Sequence, residues 1–233
     1  MRILGVLLRK ELEATFTSPV GYTIIAVFLL VLGYTFSLTL VATRVANLNY
    51  IFHQIYVLAI LLIPVATMRV FAEERSTDTL ELLLTSPVHE ISIVIAKFLA
   101  TLTLILGMIG GSIVYAVILG IYGDPDWGPI YSGYLALVLL TAFLVSIGIF
   151  MSSLTENQVV AAAFTLGTAL MLWYADSVSG MLPAPFDSLA LNLSLIGHFH
   201  SMATGSVFLS DIGYFVTMTL LALFLTVRRL EAR

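Results

Sequence analysis

His198 and His200 stand one residue apart in GHFHS, the nearest approach in this sequence to a pair of metal ligands. A zinc site needs three or four ligands, and no certain third accompanies them, so they read as interfacial or hydrogen-bonded histidines and no metal is expected. Cysteine is absent, which removes thiolate ligands, disulfides and a cysteine nucleophile. No GxxxxGK[ST] occurs, so the chain carries no P-loop of its own, and neither GxSxG nor HExxH is present. The sequence therefore reads as non-enzymatic, with no catalytic residue and no cofactor bound by this chain.

Chemistry of another kind gathers at 68–90, MRVFAEERSTDTLELLLTSPVHE. Arg69, Glu73, Glu74, Arg75, Asp78, Glu81 and Glu90 crowd there in a chain that is 60% hydrophobic and only 10% charged. A charge at mid-bilayer costs about 2.5–3.5 kcal/mol, so burying all of them in lipid would cost on the order of 20 kcal/mol. The segment must meet water or a soluble partner. At 100° per residue, Glu74, Asp78 and Glu81 share a helical stripe, with Leu80, Leu83 and Leu84 roughly opposite. Ser86-Pro87 then ends that helix and begins the next. Two readings stay open at this point. One is a solvated loop whose leucines rest on the membrane surface; the other is a short rigid helix that presents acids and leucines to another protein and transmits force.

The elements that must hold this segment are membrane spans. Mean hydropathy is +1.05, far above that of soluble domains. Six apolar runs approach the roughly 20 residues a bilayer crossing needs: 20–40, 51–68, 97–121, 130–151, 158–175 and 211–228. Their interiors contain no Asp, Glu, Lys or Arg, and His53 is their one histidine. With six spans, Arg2, Arg9, Lys10, Arg69, Arg75, Lys97, Arg228, Arg229 and Arg233 fall on one side and only Arg44 on the other. The positive-inside rule then places both termini and the 69–90 loop in the cytoplasm. No charge lies inside a span, which weakens an ion-coupled carrier. The net charge of −4 points to no nucleic-acid partner.

Local signals agree. MRILGVLLRKELEATFTSP is not a cleavable leader, since its apolar part is short and broken by Arg9 and Lys10. Instead Ile3, Leu4, Leu7, Leu8 and Leu12 can share one face of a helix, with Arg9, Lys10 and Glu13 on the other, so 1–19 is expected to lie along the membrane surface. TSPV occurs at 17–20 and at 85–88, each time before a span, and suits a Ser N-cap followed by Pro at the first helical position. Thr155-Glu-Asn-Gln158 has capping-box spacing. GDPDWGP, 123–129, is an outward turn with Trp127 placed for the interface. Pro64 is expected to kink the second span, and Gly107 with Gly111 forms a small-xxx-small pair beside Gly110 that serves internal packing or a dimer seam.

At this point the residues resemble a family. KEL at 10–12, TSPVGY at 17–22, LIPVATMRVFAEERSTDTLELLLTSPV at 62–88, SSLTENQVVAAA at 152–163 and GHFHSMATGSVFLSDIGYF at 197–215 are similar to the permease subunit of ABC-2 type transporters. The nearest likeness is to the GldF-like permeases named from bacterial gliding motility. Asp78 departs from the pattern, where glycine is expected in many relatives. The resemblance implies an all-α integral membrane protein forming a single ABC-2 transmembrane domain over 1–233. It has six transmembrane helices, an N-terminal interfacial helix, a coupling helix within 69–90, and short helices from 177 to 209 dipping into the outer leaflet. It implies a multi-pass location in the bacterial inner (plasma) membrane. It also implies docking of a separate cytoplasmic ABC ATPase, which would bind the ATP and magnesium, through Glu73, Glu74, Arg75, Asp78, Glu81 and Leu84.

Six helices enclose too little for a pathway, so a second permease chain is expected, as a homodimer or with a related permease. An auxiliary membrane or extracytoplasmic subunit is a further possible partner, alongside membrane lipid. Export is implied by the family. The uncharged spans, rich in Tyr, Ser, Thr and Gly, suit amphipathic, lipid-like or polymeric cargo. Two other readings stand beside this one: a non-transporting anchor or mechanical coupler for an ABC ATPase, and an ion-coupled secondary carrier.

Overall fold

Among the described residues the chain is built of helices joined by short turns. The computed structural model describes residues 2–17, 19–43, 48–79, 89–181, 183 and 185–232. In chain order the helices are α1 (Arg2–Thr17), α2 (Pro19–Thr43), α3 (Asn49–Thr67), α4 (Arg69–Ser76), α5 (Glu90–Gly111), α6 (Ile113–Tyr122), α7 (Trp127–Leu154), α8 (Gln158–Ser179), α9 (Phe186–Leu193), α10 (Leu195–Ala203) and α11 (Leu209–Glu231). Six stretches are long and apolar enough to cross a membrane: Gly21–Ala42, Asn49–Ser76, Glu90–Tyr122, Trp127–Leu154, Gln158–Ser179 and Leu209–Glu231. Each contains or closely overlaps one of the six runs read from hydropathy. Pro19 opens α2 as expected, where a missing N–H is harmless. The proposed caps Ser18 and Ser86, with Pro87, lie outside the described residues.

The bundle is organised around α7, which touches α3, α4, α5, α8, α10 and α11. Its seam with α3 is set by two glycines. A Cβ on Gly133 would lie 2.7 Å from ring carbons of Phe52, and one on Gly148 would land on the side chain of Thr67, 2.6 Å from its Cβ. Small residues let the helix backbones approach in lipid, where water does not push apolar faces together. Elsewhere on α3, the buried Tyr56 ring stacks on Phe199 of α10 at 4.9 Å and meets Trp173 of α8 edge-on at 5.6 Å. Of the glycines singled out in the third span, Gly111 faces Leu29 of α2, whereas Gly107 and Gly110 look into open space. Right after Gly111 the span breaks at the buried Ser112, whose hydroxyl donates to Ile109 O at 2.6 Å and lies 3.2 Å from Tyr134 Oη.

Several ends of helices follow simple capping chemistry. Asp126 accepts from Gly128 N at 3.0 Å at the start of α7, inside the expected turn. At the start of α8 the cap is Asn157, two residues later than the capping-box spacing implied. Its Oδ1 accepts from Val159 N and Val160 N, and Thr155 Oγ1 accepts from Asn157 N. The side-chain carbonyl of asparagine reaches two amides at once, so the threonine is left to turn the chain into the cap. On α1, Leu4, Leu7, Leu8 and Leu12 are partly buried and Arg9, Lys10 and Glu13 exposed, as the face pattern anticipated, and the helix packs mainly along α5.

Candidate functional site

Met68 is the joint between span two and the charged segment. It closes α3 and opens α4 with a helical conformation, φ −55 and ψ −31. Pro64, one turn earlier, has no N–H to give back to the ladder. Beyond the joint, the amides of Phe71 and Ala72 turn to a side chain: both donate to Ser152 Oγ at 3.0 Å, and Ser152 Oγ donates to Met68 O at 3.0 Å. One buried hydroxyl on α7 thus satisfies three backbone groups at the start of α4, which would otherwise be orphaned away from water.

The charges of α4 divide into two sets. Glu74 turns inward. Its Oε1 accepts from Lys97 Nζ of α5 at 2.7 Å, and Lys97 also donates to both carboxylate oxygens of Glu11 on α1 at 3.3 Å. The Lys97 side chain is only 3% exposed, against 18% for Glu11 and 22% for Glu74. Its ammonium lies 5.3 Å from the centre of the Phe71 ring, a second source of stabilisation for a buried cation. Arg75 also turns inward, at 7% exposure, donating from Nη1 to Ser153 O at 2.6 Å with Nη2 3.8 Å from Glu156. Glu73 and Asp78 remain exposed. Glu81 and Leu84, the other two expected contact residues, lie outside the described residues.

Between Glu74 and Asp78 the expected stripe is interrupted, because α4 ends at Ser76, while Glu81 lies outside the described residues. Ser76 Oγ and Thr77 Oγ1 each donate to Glu73 O at 2.9 Å, and Thr79 Oγ1 donates to Glu74 O at 3.3 Å. Three hydroxyls compete for the last carbonyls and stop the helix. Asp78 then takes φ +56, a left-handed conformation natural to glycine and tolerated by aspartate. This explains why a glycine fits the pattern at 78. Asp78→Gly is expected to raise stability by about 0.5–1 kcal/mol, and Asp78→Val to lower it by about 1–2 kcal/mol, by denaturant unfolding of the purified protein.

Between α1, the start of α2, the α3–α4 joint and α5 lies a half-open cavity of about 440 Å³. Ile24, Ala66 and Leu104 supply apolar wall, and Arg69, Glu73, Glu74 and Lys97 line the charged part. Lys97 and Glu11 were missed as a site when the sequence was read for chemistry. The available signal was position: Lys97 lies two turns inside α5, after the apolar run ISIVIA.

At the other end, His198 Nδ1 pairs with Asp211 Oδ1 at 2.8 Å and Ser201 Oγ donates to Asp211 Oδ2 at 2.7 Å. The His198 ring stacks on Tyr214 at 4.2 Å, and Tyr214 Oη donates to Leu193 O at 2.8 Å. The serine bonds the carboxylate rather than the imidazole, so this set forms no nucleophile–base pair. It ties the short helices α9 and α10 to the first turn of α11. His198 is therefore a hydrogen-bonded residue, and His200 is exposed.

A helical bundle with six stretches long and apolar enough to cross a membrane, and with a short charged helix braced against α1, α5 and α7, has the build of a membrane component. Residues 6–227 match the family described as ABC-2 family transporter protein, and the chain belongs to that family. Membership makes it a membrane permease of the ABC exporter class, whose transmembrane chains are generally non-catalytic and pair with a cytoplasmic ABC ATPase. Among curated proteins the sequence finds no match.

Proposed function

We propose that this chain is the GldF-like permease subunit of an ABC-2 exporter. It works beside a second permease chain, with both termini and α4 in the cytoplasm of a bacterial inner membrane. A separate ATPase, which binds the ATP and magnesium, docks on the segment 69–90. Nucleotide-driven approach of two ATPases moves the paired levers, and the levers shift the spans between inward and outward openings. By the same reading α1 lies in the membrane interface and α9 and α10 dip into the outer leaflet.

The observation that carries this reading is the bracing of α4. A short helix whose inward face is pinned to α1 and α5 through Lys97, and to α7 through Ser152 and Arg75, transmits a push instead of yielding to it. A solvated loop would gain nothing from three such ties. The roles of the charges then separate. Glu74 and Arg75 hold the lever, while Glu73 and Asp78 face the partner, together with Glu81 and Leu84. Charge reversal at both exposed acids, Glu73→Lys with Asp78→Lys, is expected to cut ATPase recovered with the permease from native membranes by about tenfold or more. Glu74→Gln, which keeps an acceptor for Lys97, leaves that recovery near wild type. Recovery unchanged by the double reversal, with the variant properly inserted, would overturn the docking assignment. In vesicles holding the complex, ATP-dependent movement of a solute or lipid separates a transporter from a non-transporting anchor.

A further inference from the structure

We propose that the cavity between α1, α2, the α3–α4 joint and α5 is a binding site for an amine-headed phospholipid, held by one chain in the apolar part and by its headgroup at the charged rim. The proposal stands apart from ATPase docking and uses different atoms from those that face the partner, apart from Glu73 at the lip. It rests on three observations.

The first is place and size. The walls come from the start of one span, the end of the next and the start of the third, so the cavity sits where hydrocarbon gives way to water. Its volume, about 440 Å³, falls within the range of roughly 300–1,000 Å³ typical of ligand sites. The second is polarity. Ile24, Ala66 and Leu104 line the part bounded by the spans, whereas Arg69, Glu73 and Glu74 come from α4. Arg69 and Glu73, four residues apart, sit on one face of that short helix.

The third is the set of bonds left unmade. Lys97 is fully engaged, with Glu74 Oε1 and with both oxygens of Glu11. Glu74 Oε2 is buried and has no hydrogen-bond partner. Glu73 and Arg69 form no side-chain hydrogen bond or ion pair among the described residues, although both line the cavity. A buried carboxylate oxygen with no donor is costly to leave unmatched. To a cation with N–H groups the rim offers the unpartnered Glu74 oxygen and the exposed Glu73 carboxylate, and to an anion it offers the exposed Arg69 guanidinium. A primary ammonium linked to a phosphate supplies both, and an acyl chain fills the rest. A choline headgroup carries the charge but no N–H; a glycerol headgroup carries no cation.

The test uses the full-length permease alone, without ATPase, in nanodiscs. Photoactivatable phosphatidylethanolamine and phosphatidylcholine are compared as probes, and the labelled peptides are mapped. Phosphatidylethanolamine is expected to label peptides bordering the cavity about tenfold or more over phosphatidylcholine, the worth of at least one hydrogen bond to a charged group. Glu74→Gln and Arg69→Ala are each expected to bring that labelling down to the phosphatidylcholine level. Ala66→Leu, which fills the apolar part and leaves every charge in place, abolishes both. Gel filtration and an unchanged thermal unfolding midpoint keep a misfolded variant from counting as support. Equal labelling by the two lipids, or labelling indifferent to Glu74→Gln and Ala66→Leu, overturns the proposal. Full displacement of the probe by soluble phosphoethanolamine would also overturn it, by assigning the site to a free zwitterion. Because no ATPase is present, none of these outcomes bears on the docking assignment.

Discussion

Lys97→Met is expected to destabilise the purified permease by about 3–5 kcal/mol, the cost of stripping a buried ion set of one partner. The replacement keeps the length and apolar volume of the side chain, so packing against Phe71 survives and the loss reports charge. What remains is Glu11 beside Glu74, two mostly buried carboxylates on different helices that have lost the ammonium they shared. Their repulsion pushes α1 and α4 away from α5, so the lever and the N-terminal helix loosen together. The effect should be repaired by removing the stranded charges: Lys97→Met with Glu11→Gln and Glu74→Gln is expected to regain more than half of the lost stability, since coupled groups are strongly non-additive. Unfolding midpoints in detergent measure both. A Lys97→Met protein within about 1 kcal/mol of wild type would show that the triad is ornamental and that α4 is held by Ser152 and Arg75 alone.

The six spans were legible because the bilayer reads composition over about twenty residues, and composition survives errors of a few residues at either end. The same held for the inner face of α1, where the leucine spacing carried the answer. The direction of individual charges was not legible. Glu73, Glu74 and Arg75 are consecutive, and periodicity alone assigns them to faces only relative to a neighbour that the sequence does not name. That neighbour includes Lys97, more than twenty positions away, which hydropathy treated as a flanking basic residue. The end of α4 was hidden for a different reason. Ser76, Thr77 and Thr79 have the hydroxyls to stop a helix, and local hydrogen bonding ends α4 at Ser76, where the sequence pattern alone runs on without a break. Ser152 lay within a segment used for the resemblance, but nothing in one sequence marks a serine that caps another helix.

The glycines teach the same lesson and give the last large effect. Spacing drew attention to Gly107 and Gly111, yet the tightest approaches are at Gly133 and Gly148, about four turns apart on α7 and both facing α3. At Gly148 the obstacle is Thr67, fully buried, β-branched, and tied by its hydroxyl to Ile63 O at 2.9 Å. Such a side chain has almost no rotamer to retreat into within a helix. Gly148→Ala is therefore expected to cost about 3 kcal/mol, at the upper end for overpacking, and to displace α3 next to the Met68 joint. Thr67→Gly alone should cost about 1–2 kcal/mol through lost packing and helix propensity. Combined, the two should be less harmful than their sum, because the space vacated on α3 receives the new methyl on α7. Because α4 follows directly on that seam, the proposed coupling through α4 predicts that Gly148→Ala weakens ATP-driven activity of the assembled complex more than its binding of ATPase. Strict additivity in the double variant would mean that the helices separate instead of exchanging volume, and the seam would then be a tolerant contact rather than the rigid base on which α4 turns.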